Sequence, residues 1–341
     1  MGGLFLKPNK GPLNKNIKIV GTIVLGPLLF LLLSWLIYRE VTRQHNWQHS
    51  LQQVLQALTG PRQWQLWLVV LLMPLNWGIE ARKWQLALRP VGGLAFWDAF
   101  RAVFTGTTMA CFTPNRMGEY LGRILYIKEG RRLTAISLTL ACSIAQLMIT
   151  LAVGLAGLLY LSAFPRRIIT GQPHIQLAMD IFAIVVFLLL VILTIIYFRL
   201  SLVADLLLRI PGARRFRAQI KVLENFDTKS LMWILCLSFG RYIVFIVQYS
   251  LVFPVFGVYL SFAQVWGGMS VVFLVMAVIP TFTFLTELGL RWEASIQVLE
   301  WFSPNTVGIF ATSFAIWLIN LIIPALIGSL FIAGIKLFKS R

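Results

Sequence analysis

Apolar runs long enough to cross a lipid bilayer recur from one end of this chain to the other, and they restrict its fold more than any other feature. Six reach or approach the ~20 residues a helix needs to span hydrocarbon: Ile17–Tyr38, Trp64–Glu80, Leu133–Leu161, Leu177–Phe198, Leu231–Phe253 and Val307–Ala333. Hydrocarbon offers no partner to a backbone N–H or C=O, so each run must be helical and satisfy itself. Of the 341 residues 58% are hydrophobic and 12% charged, with a mean hydropathy of +0.80. Water-facing proteins carry about 25% charged residues, so too few polar side chains remain here to cover a soluble surface. The expectation is an all-α polytopic membrane protein, residues 1–341 forming one integral membrane domain. The first run is long and no small-residue cleavage site follows it, so it is expected to stay as a helix.

Lys and Arg number 30 against 12 Asp and Glu, a formal charge of +18. In a soluble domain that excess would point to nucleic acid. Here the basic residues cluster between apolar runs, where positive-inside topology and anionic lipid headgroups account for them, so no nucleic-acid partner is expected. Cys111, Cys142 and Cys236 lie in apolar segments without ligand spacing, and His45, His49 and His174 have no carboxylate or thiol alongside. No metal site and no cofactor are therefore expected. The segment His45–Leu58 has apolar residues at helical spacing and is expected on the outer surface.

Two further stretches, Ala95–Tyr126 and Phe262–Trp301, are apolar but interrupted by Gly, Pro and charge. Positive charge decides how they thread. Lys7, Lys10, Lys15 and Lys18 put the N-terminus inside, and Arg82, Lys83 and Arg89 put the loop after the second run inside. If residues 95–126 crossed once, the basic loop holding Arg209, Arg214, Arg215, Arg217 and Lys221 would fall outside. If they enter and return, that loop is inside, with Lys128, Arg131 and Arg132. The same test on residues 262–301 keeps Lys336, Lys339 and Arg341 inside. The reading is about six full spans plus two oppositely oriented re-entrant helical hairpins, with both termini cytoplasmic and eight plain spans as the alternative.

The interrupted stretches share an order of residues. The first holds Pro114, Arg116, Gly118, Glu119 and Arg123; the second holds Pro280, Glu287, Gly289, Arg291 and Glu293. In each, a proline breaks the helix, and a Glu then precedes an Arg by four, which places both on one helical face. An ionisable residue at membrane depth costs on the order of 2.5–3.5 kcal/mol on insertion scales, so it reads as functional by default. Interrupted segments at corresponding places in two halves point to a transport site. The halves run 64–161, with hairpin 95–126, and 231–333, with hairpin 262–301, the second inverted relative to the first. Substrate binding or translocation falls to Arg116, Glu119, Arg123, Glu287, Arg291 and Glu293, and the breaks to Pro114, Gly118, Pro280 and Gly289. Asn76 and Gln146 read as structural hydrogen bonders. Arg241, inside an apolar run, reads equally as an interface cation or a cavity residue. Gly106-Thr107-Thr108 and Gly267-Gly268 read as close packing.

The Pro114-Asn115-Arg116-Met117-Gly118-Glu119 element with Arg123 resembles the transmembrane, flippase-like region of the lysylphosphatidylglycerol synthase family. So do Asn76, Arg82-Lys83-Trp84, and Pro280 followed by Glu287-Leu288-Gly289-Leu290-Arg291-Trp292-Glu293. The likeness runs from about Trp64 to the end. It implies a lipid-translocating protein of the bacterial cell inner membrane, in a stand-alone form without the soluble synthase domain that two-domain members carry. Thr286-Glu287-Leu288 departs from the more glycine-rich turn of the family. The resemblance leaves the cargo open.

The leading expectation is a flippase-like transporter moving a phospholipid or lipid-linked headgroup through a polar cavity between the hairpins, rather than an enzyme. Its partners would be membrane lipids, most naturally an anionic phospholipid or lipid-linked substrate, with homo-oligomerisation left open. The alternatives are a membrane transferase acting on a lipid-linked substrate and a non-catalytic membrane partner protein. No aminoacyltransferase domain and no nucleotide-binding loop are visible.

Overall fold

The computed structural model describes residues 59–163, 173–199, 226–281 and 284–334, with isolated positions elsewhere. The run Ile17–Tyr38, the segment His45–Leu58 and most of the basic stretch 199–229 lie outside the described residues. Ten helices carry the argument: α1 (Gln63–Ala87), α2 (Phe96–Ala110), α3 (Gly118–Ile124), α4 (Arg132–Ala163), α5 (Pro173–Phe198), α6 (Thr228–Val252), α7 (Phe262–Val278), α8 (Phe284–Leu299), α9 (Thr306–Trp317) and α10 (Ile323–Gly334). A π-helical turn, Leu318–Ile322, joins α9 to α10. No strand occurs among the described residues.

Four stretches are long and apolar enough to cross a membrane: Glu129–Ala163, Leu177–Phe198, Thr228–Phe256 and Thr306–Ile332. The chain is thus a helical membrane protein. These spans differ in placement. The most apolar window, in α5, is 11% buried, while that of Thr306–Ile332 is 67% buried. Helix α5 is apolar nearly all round and turns Ile181, Ile184 and Leu188 outward, as suits a lipid-facing helix; α9 and α10 lie at the centre. Helix α1 holds the expected run Trp64–Glu80 but continues to Ala87, so Lys83, expected in a loop, is a buried helical residue.

The interrupted stretches fold into two helical pairs. Helix α2 ends before Pro114 and α7 before Pro280, and in both the residue ahead of proline, Thr113 or Ile279, is extended, because the proline ring disfavours helical geometry there. Helix α3 returns antiparallel along α2: an added Cβ on Gly122 would lie 2.5 Å from the Cα of Gly106, and one on Gly118 would collide with the carbonyl of Met109. Only glycine permits this approach. Helix α8 returns along α7, with Leu299 against Gly268.

Each pair has its two ends tied together. Arg131 donates to the carbonyl of Val91 at the base of the first. Asn305 donates to the carbonyls of Phe256 and Gly257, at 3.1 and 3.2 Å, at the base of the second. The first base adjoins the C-terminal end of α1; Arg62, just ahead of α1, reaches the carbonyl of Pro254 (2.7 Å) near the second base. The pairs therefore enter the bundle from opposite ends of α1, a 25-residue helix spanning about 37 Å at 1.5 Å per residue.

Their packing is reciprocal. Helix α2 lies on α10, where Gly328 admits Phe104 and Thr108, and α7 lies on α4, where Gly154 and Gly157 admit Leu274 and the carbonyl of Gly267. Helices α1 and α6 pack on each other between the pairs. The packing expected for Gly106-Thr107-Thr108 and Gly267-Gly268 is present in both places.

Candidate functional site

The broken tips of the two pairs meet. The N–H of Asn115, after the first break, donates to the carbonyl of Thr281, after the second, at 2.8 Å. Asn115 and Arg116 sit at φ 48° and 58°, the left-handed region that asparagine tolerates and that costs an arginine on the order of 1–2 kcal/mol. This turn directs Arg116 across the junction, where its guanidinium lies 3.6 Å from the Glu287 carboxylate. Thr113 closes the turn by accepting from the N–H of Gly118 at 2.6 Å, which starts α3. Backbone strain of this kind is retained where surrounding contacts over-determine it, and it concentrates at functional sites.

Beside the junction, three cations from three helices converge on Glu80, which is 3% exposed. Lys83 of α1 (2.7 Å), Arg123 of α3 (2.8 Å) and Arg241 of α6 (2.7 Å) all reach its carboxylate. Arg123 also pairs with Glu119, as the four-residue spacing predicts, and lies 5.7 Å from the Trp84 ring. Arg241 donates from Nε to Asn76 (3.0 Å), which meets Asn320, and stacks over Trp77 at 4.9 Å. On α8, Arg291 donates to Glu287 (2.8 Å) and to the Tyr249 hydroxyl (3.2 Å).

These groups border a cavity of about 380 Å³, within the range of small-ligand sites. Its polar wall holds Glu80, Lys83, Arg116, Glu119, Arg241, Glu287 and Arg291; its apolar wall holds Leu147, Phe245, Phe273, Met276 and Ala277. Counting Arg123 behind the wall, five cations face three carboxylates. The planar guanidinium fork pairs bidentately with two oxygens of a carboxylate or a phosphate, so the polar wall is suited to either. Among the described residues no group of His, Cys, Asp and Glu has the makings of a metal site.

Of the residues singled out from sequence, Arg116, Glu119, Glu287 and Arg291 line the cavity, and Arg123 lies directly behind it. Glu293 does not join them: it is exposed and accepts from Gln297 at 3.0 Å. Pro114, Gly118 and Pro280 mark the breaks. Gly289 lies inside α8, and a Cβ there would meet open space, because the second break is complete by Phe284.

Sequence reading missed Glu80 and Lys83; Asn76 and Gln146 are the interhelical hydrogen bonders it expected, and Arg241 takes the cavity position among its two readings. From sequence, Glu80 reads as the end of the run Trp64–Glu80. The available signal was an acid with a lysine three residues on, flanked by tryptophans that continue the apolar face into α1's last turns. No family model matches the chain, and no curated protein matches it.

Proposed function

We propose that the protein is a flippase-like lipid transporter that moves a phospholipid or lipid-linked headgroup across the bilayer through this cavity. One observation carries the reading: two broken helical pairs, based at opposite ends of the bundle, touch tips at a cavity with partly buried arginines on one side and apolar side chains on the other. A headgroup must cross about 30 Å of hydrocarbon while its tails stay in lipid, and carrying it bare is prohibitive. A site with one charged and one apolar wall meets both demands.

In this reading the pairs α2–α3 and α7–α8 are re-entrant hairpins, one from each face, each tied at its base and ending at mid-membrane. The reciprocal packing of α2 on α10 and α7 on α4 supports two inverted halves, 64–161 and 231–333. Helix rupture at membrane depth is tolerated where it lines a cavity, and inverted halves commonly place a substrate site between them. Arg116, Arg241 and Arg291 would hold the headgroup anion, with Glu119 and Glu287 balancing charge as it passes. Membership of the lysylphosphatidylglycerol synthase transmembrane family, residence in a bacterial inner membrane and cytoplasmic termini belong to the same proposal.

Proteoliposomes carrying headgroup-labelled lipids test it. Protein-dependent movement between leaflets, reduced at least tenfold by Arg291→Gln, is expected, since truncating a charged hydrogen-bonding partner costs about 1.5–3 kcal/mol. No movement for any of several headgroup classes, with a control scramblase active, would sink the idea.

A further inference from the structure

The cavity's charge balance narrows the cargo. Lys83, Arg116, Arg123, Arg241 and Arg291 stand against Glu80, Glu119 and Glu287, which among the described residues leaves two positive charges without a protein counterpart. Their donors are not all used. Among the described residues, Nε and Nη1 of Arg123 and Nε of Arg291 are buried without an acceptor, and Arg116 is held only by its 3.6 Å ion pair with Glu287. Cations partly withdrawn from water and short of a counterion favour an incoming anion.

We infer that the cavity takes a lipid whose headgroup is a phosphate monoester, a dianion on an apolar chain. This rests on the transport reading for its site, not for its chemistry. A phosphate monoester carries about −1.5 to −2 at neutral pH, its second ionisation lying near pH 6, and so matches the excess of two; a phosphodiester brings one charge and leaves the other uncompensated. The monoester's extra anionic oxygen gives Arg116, Arg241 and Arg291 a terminal group to share, which guanidinium forks bind as parallel pairs. Phe245, Phe273 and Met276 on the facing wall supply contact for the chain that free phosphate lacks.

The test uses the full-length protein in nanodiscs of phosphatidylcholine, titrated separately with phosphatidic acid, phosphatidylglycerol and inorganic phosphate. Phosphatidic acid is expected to bind on the order of tenfold or more tightly than either, the effect of one additional charge-assisted hydrogen bond. Its advantage over phosphatidylglycerol should shrink as pH falls through about 6. Arg241→Gln, which cuts the excess to one, should bring the two lipids to within about threefold, the remainder below one charged hydrogen bond. Arg101→Gln, at an exposed position of α2 paired with Asp98, leaves the excess at two and should preserve the preference, while a monodisperse size-exclusion peak for Arg241→Gln excludes misfolding as the cause of its loss.

Equal affinity for the two lipids overturns the inference, and so does inorganic phosphate binding as tightly as phosphatidic acid. Transport of phosphatidylglycerol without any monoester preference would leave the proposed function standing and this inference overturned. A monoester preference without transport would do the reverse.

Discussion

In the first helical pair Arg123 is 1% exposed and answers to two carboxylates, Glu119 on its own helix and Glu80 on α1. In the second, Arg291 has a side chain 13% exposed, pairs with the single carboxylate Glu287, and borders the cavity. The order of proline, glutamate and arginine is the same in both. What differs is the third helix: α1 brings Glu80 to the first pair's arginine, whereas α6 brings the neutral Tyr249 to the second's. The first pair is braced from a third helix, and the second leaves its arginine bordering the cavity. Local patterns of the same order thus acquire different surroundings from the neighbour that completes them.

The largest expected effect comes from removing the brace. Glu80→Gln leaves Lys83, Arg123 and Arg241 facing a neutral amide, and breaking a buried ion network of this kind costs about 3–5 kcal/mol. Thermal unfolding in detergent should show a much larger loss for Glu80→Gln than for Glu287→Gln, while transport by the surviving folded fraction falls more for Glu287→Gln. Equal losses of stability would erase the contrast between the pairs.

The close approach of α2 and α3 gives the next effect. Gly122→Ala drives a Cβ to 2.5 Å from Gly106, an overpacking expected to cost about 1–3 kcal/mol, visible as a lower unfolding temperature and a poorer yield of monodisperse protein. A neutral Gly122→Ala would mean that the two helices separate without consequence.

Arg116→Gly separates stability from function. Glycine relieves the left-handed strain at φ 58°, a gain of about 1 kcal/mol, while deleting the cation that spans the two tips. The expected result is a slightly more stable protein that transports poorly; Arg116→Lys, which retains charge and strain, should not gain stability. If transport survived Arg116→Gly, the tip junction would have no part in handling the headgroup.

The smallest effect tests the second pair away from its charges. Gly289→Ala meets open space within α8 and should stabilise by about 0.5–1 kcal/mol through helix propensity, with transport unchanged. A loss of stability would show that Gly289 serves as a break after all.

Much of this was legible before any coordinate. The apolar lengths of Leu177–Phe198 and Leu231–Phe253 reappear as α5 and α6 within a few residues, since a bilayer dictates length directly. Pro114 and Pro280 marked both helix ends, because the constraint of proline is local. The spacing of Glu119 with Arg123, and of Glu287 with Arg291, gave both ion pairs for the same reason. Glu293 shares that neighbourhood in sequence and misses the site, as it lies on another face of α8.

What the sequence by itself determined is therefore what short-range chemistry can decide: a helical membrane protein, where its helices break, and which charges share a helical turn. Only the tertiary structure decided that Glu80, Lys83 and Arg241, from two different helices, gather with Arg123, or that Asn115 and Thr281 meet across more than 160 residues of chain. Such meetings depend on how α1, α6 and the two helical pairs pack, and packing is fixed by glycine-scale fit between distant surfaces, which no local pattern encodes. The charge excess at the cavity exists only once those surfaces have closed.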